Sequence, residues 1–292
     1  MTRKIFFAAL MFLIGVTIFS AADAKTKTTW RLDGAAAADL PRSFRVLDDL
    51  RISGSGQPSL AALPTIYEKL YALDPDAKIF MVDLRQETHG FANGVPVSLH
   101  TKHNAINAGK NSAQVERDES KVFRDLRGIE TTFTPLGKTD TKILKPLTII
   151  PRVVLTEREA AENAGFSYAR FAAADMQFPA PEIVDEFVLF VANLPENSWL
   201  HFHCHAGHGR TTTFMVMYEI LRNPNQSLEE ICRQQMDLGG SDILATSTGE
   251  DWNARMANDR AKKIRLFYEF VQGTRAERIG LPWSEWLTEI DR

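Results

Sequence analysis

The sequence predicts an α/β fold with a largely parallel sheet flanked by helices, and three observations carry that expectation. Short apolar runs of buried-strand type recur at "KIFMVDLR" (78–85), "FSYARFAAA" (166–174) and "SWLHFHC" (198–204). Between and after them lie helical patterns: "PEIVDEFVLFVANLP" puts Ile183, Val184, Phe187, Val188, Val191 and Leu194 on one face. The order strand, helix, strand, loop, helix implies a right-handed unit that binds ligands at the carboxyl ends of its strands.

From the N-terminus onward, Arg3 and Lys4 precede the run "IFFAALMFLIGVTIFSAA", and Ala22-Asp23-Ala24 supplies a small-x-small cleavage pattern. Residues 1–24 are expected to be an export signal, with an uncleaved membrane anchor as the alternative, since the run is just long enough to span. A periplasmic or secreted protein is the consequence. A polar linker is expected from Lys25 to about Ala38. "LRISGSGQPS" then reads as a strand entering a glycine-serine turn, and "LAALPTIYEKLYAL" as a helix starting near Pro64 or Thr65.

From Val95 to about Ile150 the chain is rich in Asn, Lys, Thr and Asp and lacks long periodic segments, so residues 96–150 are expected to be an inserted small β-rich element. Residues 25–95 and 151–292 form the core around it. "TEREAAENAG" (156–165) opens a helix with a Thr156/Glu159 capping box and ends it at Gly165; "SLEEICRQQMDLGG" repeats the pattern with Ser227 and Glu230. "TTTFMVMYEILR" is apolar almost all round, a buried helix.

The chain has 292 residues, 44% of them apolar and 24% charged, enough for one sizeable core. Its formal net charge of −3 supplies no global field toward nucleic acid or an anionic membrane. Any anion must therefore be held by a local cluster. The two cysteines, Cys204 and Cys232, could pair in an oxidising compartment. Cys232, however, lies on a capped helix facing a core, whereas Cys204 sits among polar and glycine residues.

That setting, "HFHCHAGHGRTTTF" (201–214), admits two readings. His201, His203 and His205 alternate and could converge on zinc, but a metal leaves Gly207, Gly209, Arg210 and the threonines without a role. An oxyanion cradle uses them all. A loop between a strand and a helix N-terminus can turn its N–H groups inward, and Arg210 can grip two phosphate oxygens through its planar fork. The same donors favour the Cys204 thiolate, a nucleophile toward phosphorus.

The run His203-Cys204-x5-Arg210-Thr211 resembles the loop of the cysteine-dependent protein-tyrosine-phosphatase superfamily. "VDLRQETHGFANGVPVS" (82–98), "GRTT", "RQQMDLGG" and "FYEFVQ…PWSEWL" are similar to its phytase-like branch, the inositol polyphosphate phosphatases of bacteria. The resemblance spans roughly residues 40–287 and implies a protein-tyrosine-phosphatase-like core. It implies Cys204 as nucleophile, Arg210 as phosphate ligand, Thr211 as a hydrogen-bond donor to the sulfur and Asp175 as general acid. By itself Asp175 reads equally as a turn aspartate. His203 is expected behind the loop, orienting it, or else is a packed strand histidine. Substrate contacts are expected from His205, Ala206, Gly207, His208 and Gly209, and from Arg45, Glu87, His89, Arg260 and Lys263. Arg255, Arg260 and Lys263 read also as a solvated helix face, and Asp83 and Arg85 as a tie between insert and core.

The implied partner is a small polyanion, an inositol polyphosphate, without metal, cofactor or nucleic acid, and without stable membrane association once the signal is removed. Two features depart from the branch. His205 and His208 occupy loop positions where acidic and aliphatic residues are common, so a pocket that gains charge below about pH 6.5 is expected, with both side chains pointing to solvent as the alternative. Met176 stands where a histidine often follows the acid. A phosphotyrosine or phosphoinositide phosphatase and a non-catalytic phosphate-binding module are the competing functions.

Overall fold

A computed structural model describes residues 28–276 apart from 139, together with 281–290; the expected export signal, 1–24, lies outside the described residues. No described helix is long and apolar enough to cross a membrane. Strands and helices are numbered along the chain.

The main sheet runs in the order β10 (Ser167–Ala173), β4 (Lys78–Arg85), β11 (Ser198–His203), β3 (Ile52–Ser55), β2 (Arg45–Leu47). All neighbours are parallel except β2, which pairs antiparallel with β3. Helices cover both faces. On β4, Ile79 and Met81 pack with Leu63, Ile66 and Leu70 of α1 (Ala62–Leu73) and with Ala160 and Ala161 of α4 (Glu157–Asn163). Phe80, Val82 and Leu84, alternating with them, join the opposite cluster. That cluster is built by α5 (Pro181–Ala192), α6 (Gly209–Arg222), α7 (Leu228–Asp237), α8 (Trp252–Ala276) and α9 (Trp283–Ile290).

Both capping boxes form as the sequence predicts, Thr156 with Glu159 and Ser227 with Glu230. Helix α1 starts two residues earlier than Pro64, because proline is tolerated in the first turn, where its missing N–H is not needed.

A second, antiparallel sheet has the order β1 (Thr29–Leu32), β6 (Val95–His100), β5 (His89–Ala92), β9 (Val154–Thr156). Beside it lie the pair β7 (Thr131–Phe133) and β8 (Leu147–Ile149) and the short α3 (Asp140–Ile143). The insert is thus only partly β: α2 (Ser112–Leu126), fifteen residues long, occupies its centre, contrary to the absence of long periodic segments expected there. The buried stripe of α2 is Ser112, Val115, Glu119, Phe123 and Leu126, so a carboxylate and a hydroxyl interrupt the apolar period. The expected polar linker likewise contains β1, whose Thr29–Leu32 pair with His100–Val97.

Parallel register brings the carboxyl ends of the core strands together. His203 lies beside Asp83 and Ser55, and Ala173 beside Arg85.

Candidate active site

The chain leaves β11 at Cys204, turns through His205–His208 and enters α6 at Gly209. The loop's carbonyls are held from outside: Arg42 and the Gln57 N–H donate to the His205 carbonyl, and Arg45 to the Gly207 carbonyl at 2.8 Å. With carbonyls turned away, an amide faces inward: Gly207 N–H donates to Cys204 Sγ at 3.3 Å, joined by Thr211 Oγ1 at 3.2 Å. Two donors on one sulfur suit a thiolate, which only accepts. Gly207 has φ +80°, and a Cβ there would meet Gly56 N at 2.5 Å, so conformation and close approach both require glycine.

Arg210 is fixed by Glu87, to which Nη1 and Nη2 donate at 2.7 and 3.1 Å, and Nη1 also reaches the Ala173 carbonyl. Its buried Nε has no partner among the described residues. Burial disfavours its charge, yet Asp175 and Glu87 outweigh that and raise its pKa well above the usual arginine value. Asp175, at the exit of β10 and 35% exposed, lies 3.1 Å from Arg210 Nη2. Met176 follows it in the left-handed region at φ +65°, with its side chain exposed.

The fold therefore brings Cys204, Thr211, Arg210 and Asp175 to one place. Arg260 joins them from α8: its Nη1 would lie 3.2 Å from a Cβ on Gly209. This guanidinium is 9% exposed with an unpartnered Nε, and burial alone lowers its pKa. A desolvated cation against the loop has capacity for an anion. Arg45 is buried beneath the loop, bonded to Ser43, Gly207 and Thr212, its pKa reduced to about 10 by burial against the opposing effect of Cys204. It braces the loop where the sequence reading expected a substrate contact.

Other expected contacts are corrected in the same way. Glu87 is fully buried between Arg85 and Arg210 and holds the arginine, not substrate. His89 is fully buried at 3.2 Å from Asp83, with Nδ1 on the Glu87 carbonyl and Arg170 and Glu119 beside it. Lys263 is paired with Asp259 along α8 at 2.9 Å, and Arg255 is exposed. His203 is fully buried behind the loop, with Nε2 at 3.7 Å from Glu157 and 3.9 Å from Asp83.

His205 turns away from the pocket into a cluster of Arg31, Asp33, Arg42 and Asp140, where Nε2 is 3.4 Å from Asp33. His208 is exposed near Ser43, while Gly209 and Ala206 are partly exposed. Burial lowers the pKa of both histidines, so the expected gain of pocket charge near pH 6.5 is displaced to more acidic conditions. His201 is satisfied by Ser53 and Ser55 and stacks on Phe44, so the three alternating histidines do not converge. Cys204 and Cys232 are both free, and burial raises the Cys232 thiol to about 12.

Residues outside the sequence reading also matter. Gln57 bridges Arg85 (2.7 Å) and Glu157 (2.7 Å), while the insert contributes Asn104, whose amide donates to Asp175 at 3.5 Å. The glycine-serine turn before Gln57 was the one signal for the first. Nothing in "TKHNAIN" marks the second.

These burials set the acid stability. His201 and His205 are held below the ordinary histidine pKa by burial, and His203 falls to about 3. On unfolding below about pH 6.5 each takes up a proton, so their stabilising effect is present above that pH and lost as pH falls. Glu157, raised to about 7 by burial, works oppositely, because it already holds its proton. With His100 and His208 added, the lowered histidines outnumber the raised carboxyls of Glu157, Glu186 and Glu219, so unfolding between pH 6.5 and 5 takes up protons overall. The melting temperature is therefore expected to fall steadily from pH 6.5 to 5, and His205→Asn to flatten the fall; a flat profile in wild type would contradict this burial pattern.

A sulfur held as an acceptor in an amide-lined loop on this sheet defines the class of cysteine-dependent phosphatases. The PTP-like phytase family model, described as inositol hexakisphosphate, matches residues 82–222. The PTP-like phytase of Bdellovibrio bacteriovorus is 32% identical with TM-score 0.75, covering 90% of this chain and 95% of its own. The tandemly repeated phytase of Mitsuokella multacida is 34% identical with TM-score 0.82 over 89% of this chain and 49% of that one, and has also been solved with myo-inositol-(1,3,4,5)-tetrakisphosphate. The effector protein hopD2 of Pseudomonas syringae pv. tomato is 29% identical over 72% of this chain and 46% of its own. The chain belongs to the PTP-like phytase family, and it spans about half the length of the Mitsuokella and Pseudomonas relatives.

Proposed function

We propose that the protein hydrolyses phosphomonoesters of inositol hexakisphosphate and lower inositol polyphosphates through a phosphocysteine intermediate. The observation that carries this reading is the Cys204 sulfur, met by Gly207 N–H and Thr211 O–H within a loop flanked by Arg210 and Arg260. The Cys204 thiolate forms a bond to phosphorus as the P–O bond to the inositol breaks, and Asp175 gives its proton to the departing oxygen. Water then attacks phosphorus, Asp175 recovers a proton from it, and the S–P bond breaks to release phosphate and thiolate. Arg210 and the loop amides carry the charge on the equatorial oxygens in both steps, and Thr211 bonds the leaving sulfur.

Family membership supports the substrate class, as does the inositol tetrakisphosphate complex of the Mitsuokella relative. Within the chain, Arg260 supports it: a nearly buried cation beyond the loop suits a substrate with phosphates besides the one under attack. The basic start, apolar run and Ala-x-Ala pattern of residues 1–24 support an exported enzyme.

The test is phosphate release, with a chelator present, from inositol hexakisphosphate and from a phosphotyrosine peptide. A kcat/KM at least about tenfold higher for the inositol phosphate, a difference of about 1.4 kcal/mol in transition-state binding, is expected. Preference for the peptide would move the function to protein dephosphorylation.

A further inference from the structure

The connection between β6 and α2 reaches Asp175 and is pinned at three places. Asn107 donates to the Gln86 carbonyl and to Thr88 Oγ1, beside the strand end that carries Glu87. His103 stacks on Trp252 at the start of α8, centroids 4.2 Å apart. Between them Asn104, 3% exposed, donates to Asp175 Oδ2. His100 flanks Asn104 and interacts with it, on a ring pushed toward its neutral form by burial and by Arg31.

Three non-glycine residues of this strap are in the left-handed region: His103 at φ 56°, Asn104 at 55° and Asn107 at 68°. Each such conformation costs free energy that surrounding contacts must offset, and such outliers cluster at functional sites. Asn104 thus bears conformational strain at a position that puts a neutral donor on the acid.

The neutrality matters. Asp175 is held by Arg210 and the Met176 N–H at Oδ1, both at 3.1 Å, and by Asn104 at Oδ2, where Asn104 is the one neutral side chain among the described donors. An incoming phosphoryl group competes with Asp175 for Arg210, whose Nη2 lies 3.1 Å from Asp175 Oδ1. A carboxamide can hold the carboxyl in either protonation state, so it remains a partner when Arg210 turns to phosphate and Asp175 must carry a proton.

We propose that Asn104 is the positioning residue for the general acid Asp175, set in place by the strap from the inserted sheet. The proposal rests on the phosphatase reading above but not on the inositol substrate.

The test compares Asn104→Ala and Asn104→Gly on phenyl phosphate, whose leaving group needs a proton, and on p-nitrophenyl phosphate, whose leaving group departs without one. Both variants are expected to lower kcat on phenyl phosphate about tenfold, a fraction of what a general acid contributes. Turnover of p-nitrophenyl phosphate should change less than twofold, with KM for both substrates preserved. Equal losses on the two esters would make Asn104 merely structural and overturn the proposal. So would a wild-type Gly variant beside an impaired Ala variant, because glycine relieves the left-handed strain while deleting the amide. Failure of the phosphatase reading would look different: wild-type protein would not turn over p-nitrophenyl phosphate in a Cys204-dependent way.

Discussion

Replacing Cys204 by serine is expected to reduce phosphate release by about 10⁴-fold or more, the scale of losing a covalent nucleophile. The hydroxyl is a poor nucleophile and would sit where Gly207 N–H and Thr211 O–H now meet a sulfur acceptor. The packing should survive, since the side chain differs little in size and the loop is fixed by its carbonyl contacts to Arg42, Arg45 and Gln57. Near-unchanged thermal unfolding with abolished turnover is the expected pair of results. A variant that keeps a tenth of the activity would exclude attack by Cys204.

The second large effect belongs to a residue that touches no substrate. Glu87 lies fully buried between Arg85 and Arg210, and although burial opposes its charge, the two guanidinium groups hold its pKa well below the carboxylate range. Its stabilising effect is present above the unfolded-state pKa and is lost only as pH falls through the lower folded value. Glu87→Gln removes the charge at every pH and leaves two buried cations short of a partner. A loss of about 3–5 kcal/mol is expected, as for other broken buried pairs. That corresponds to a fall of roughly 10 °C in melting temperature for a chain of this size. Activity should fall even where the variant is folded, because Glu87 is the one described residue that holds both ends of the Arg210 fork, with Ala173 and Asp175 reaching one end each. Unchanged stability and turnover together would remove Glu87 from the account.

How much of this could be read from the sequence depends on the kind of interaction. Strands β4, β10 and β11 and helices α5 and α6 were legible because helices or sheet cover them and burial writes itself as apolar periodicity. Helices α4 and α7 were legible from the four residues of their Ser/Thr and Glu capping boxes, whereas the Asn111/Gln114 box of α2 was not read. The second sheet was not, since β1 pairs with β6 across more than sixty residues of chain and neither strand carries a local mark of its partner. Helix α2 hid behind Glu119, a buried carboxylate that accepts from Arg170 and from the His89 N–H where periodicity expects an apolar residue.

The site divides along the same line. Motif spacing located Cys204, Arg210 and Thr211 because the loop and its two flanking elements are contiguous, whereas Asp175, by itself equally a turn aspartate, came only with the family resemblance. Spacing could not tell which way a motif side chain points. His89, His205 and Glu87 all stand in motif segments, yet each is turned into a buried ionic network that joins the insert to the core through Asp33, Asp83, Arg85 and Arg170. The tie expected of Asp83 and Arg85 is of this kind, but the sequence carries no label of which charged side chains are its partners.

The central claim is a covalent bond between Cys204 and phosphorus. Wild-type protein mixed with inositol hexakisphosphate, quenched in acid within milliseconds and digested, should yield the Cys204 peptide carrying one phosphoryl group, and the Cys204→Ser protein should not. Rapid phosphate release with that peptide unmodified at every quench time, under conditions where a phosphocysteine standard survives, would contradict the double displacement and point to direct attack by water.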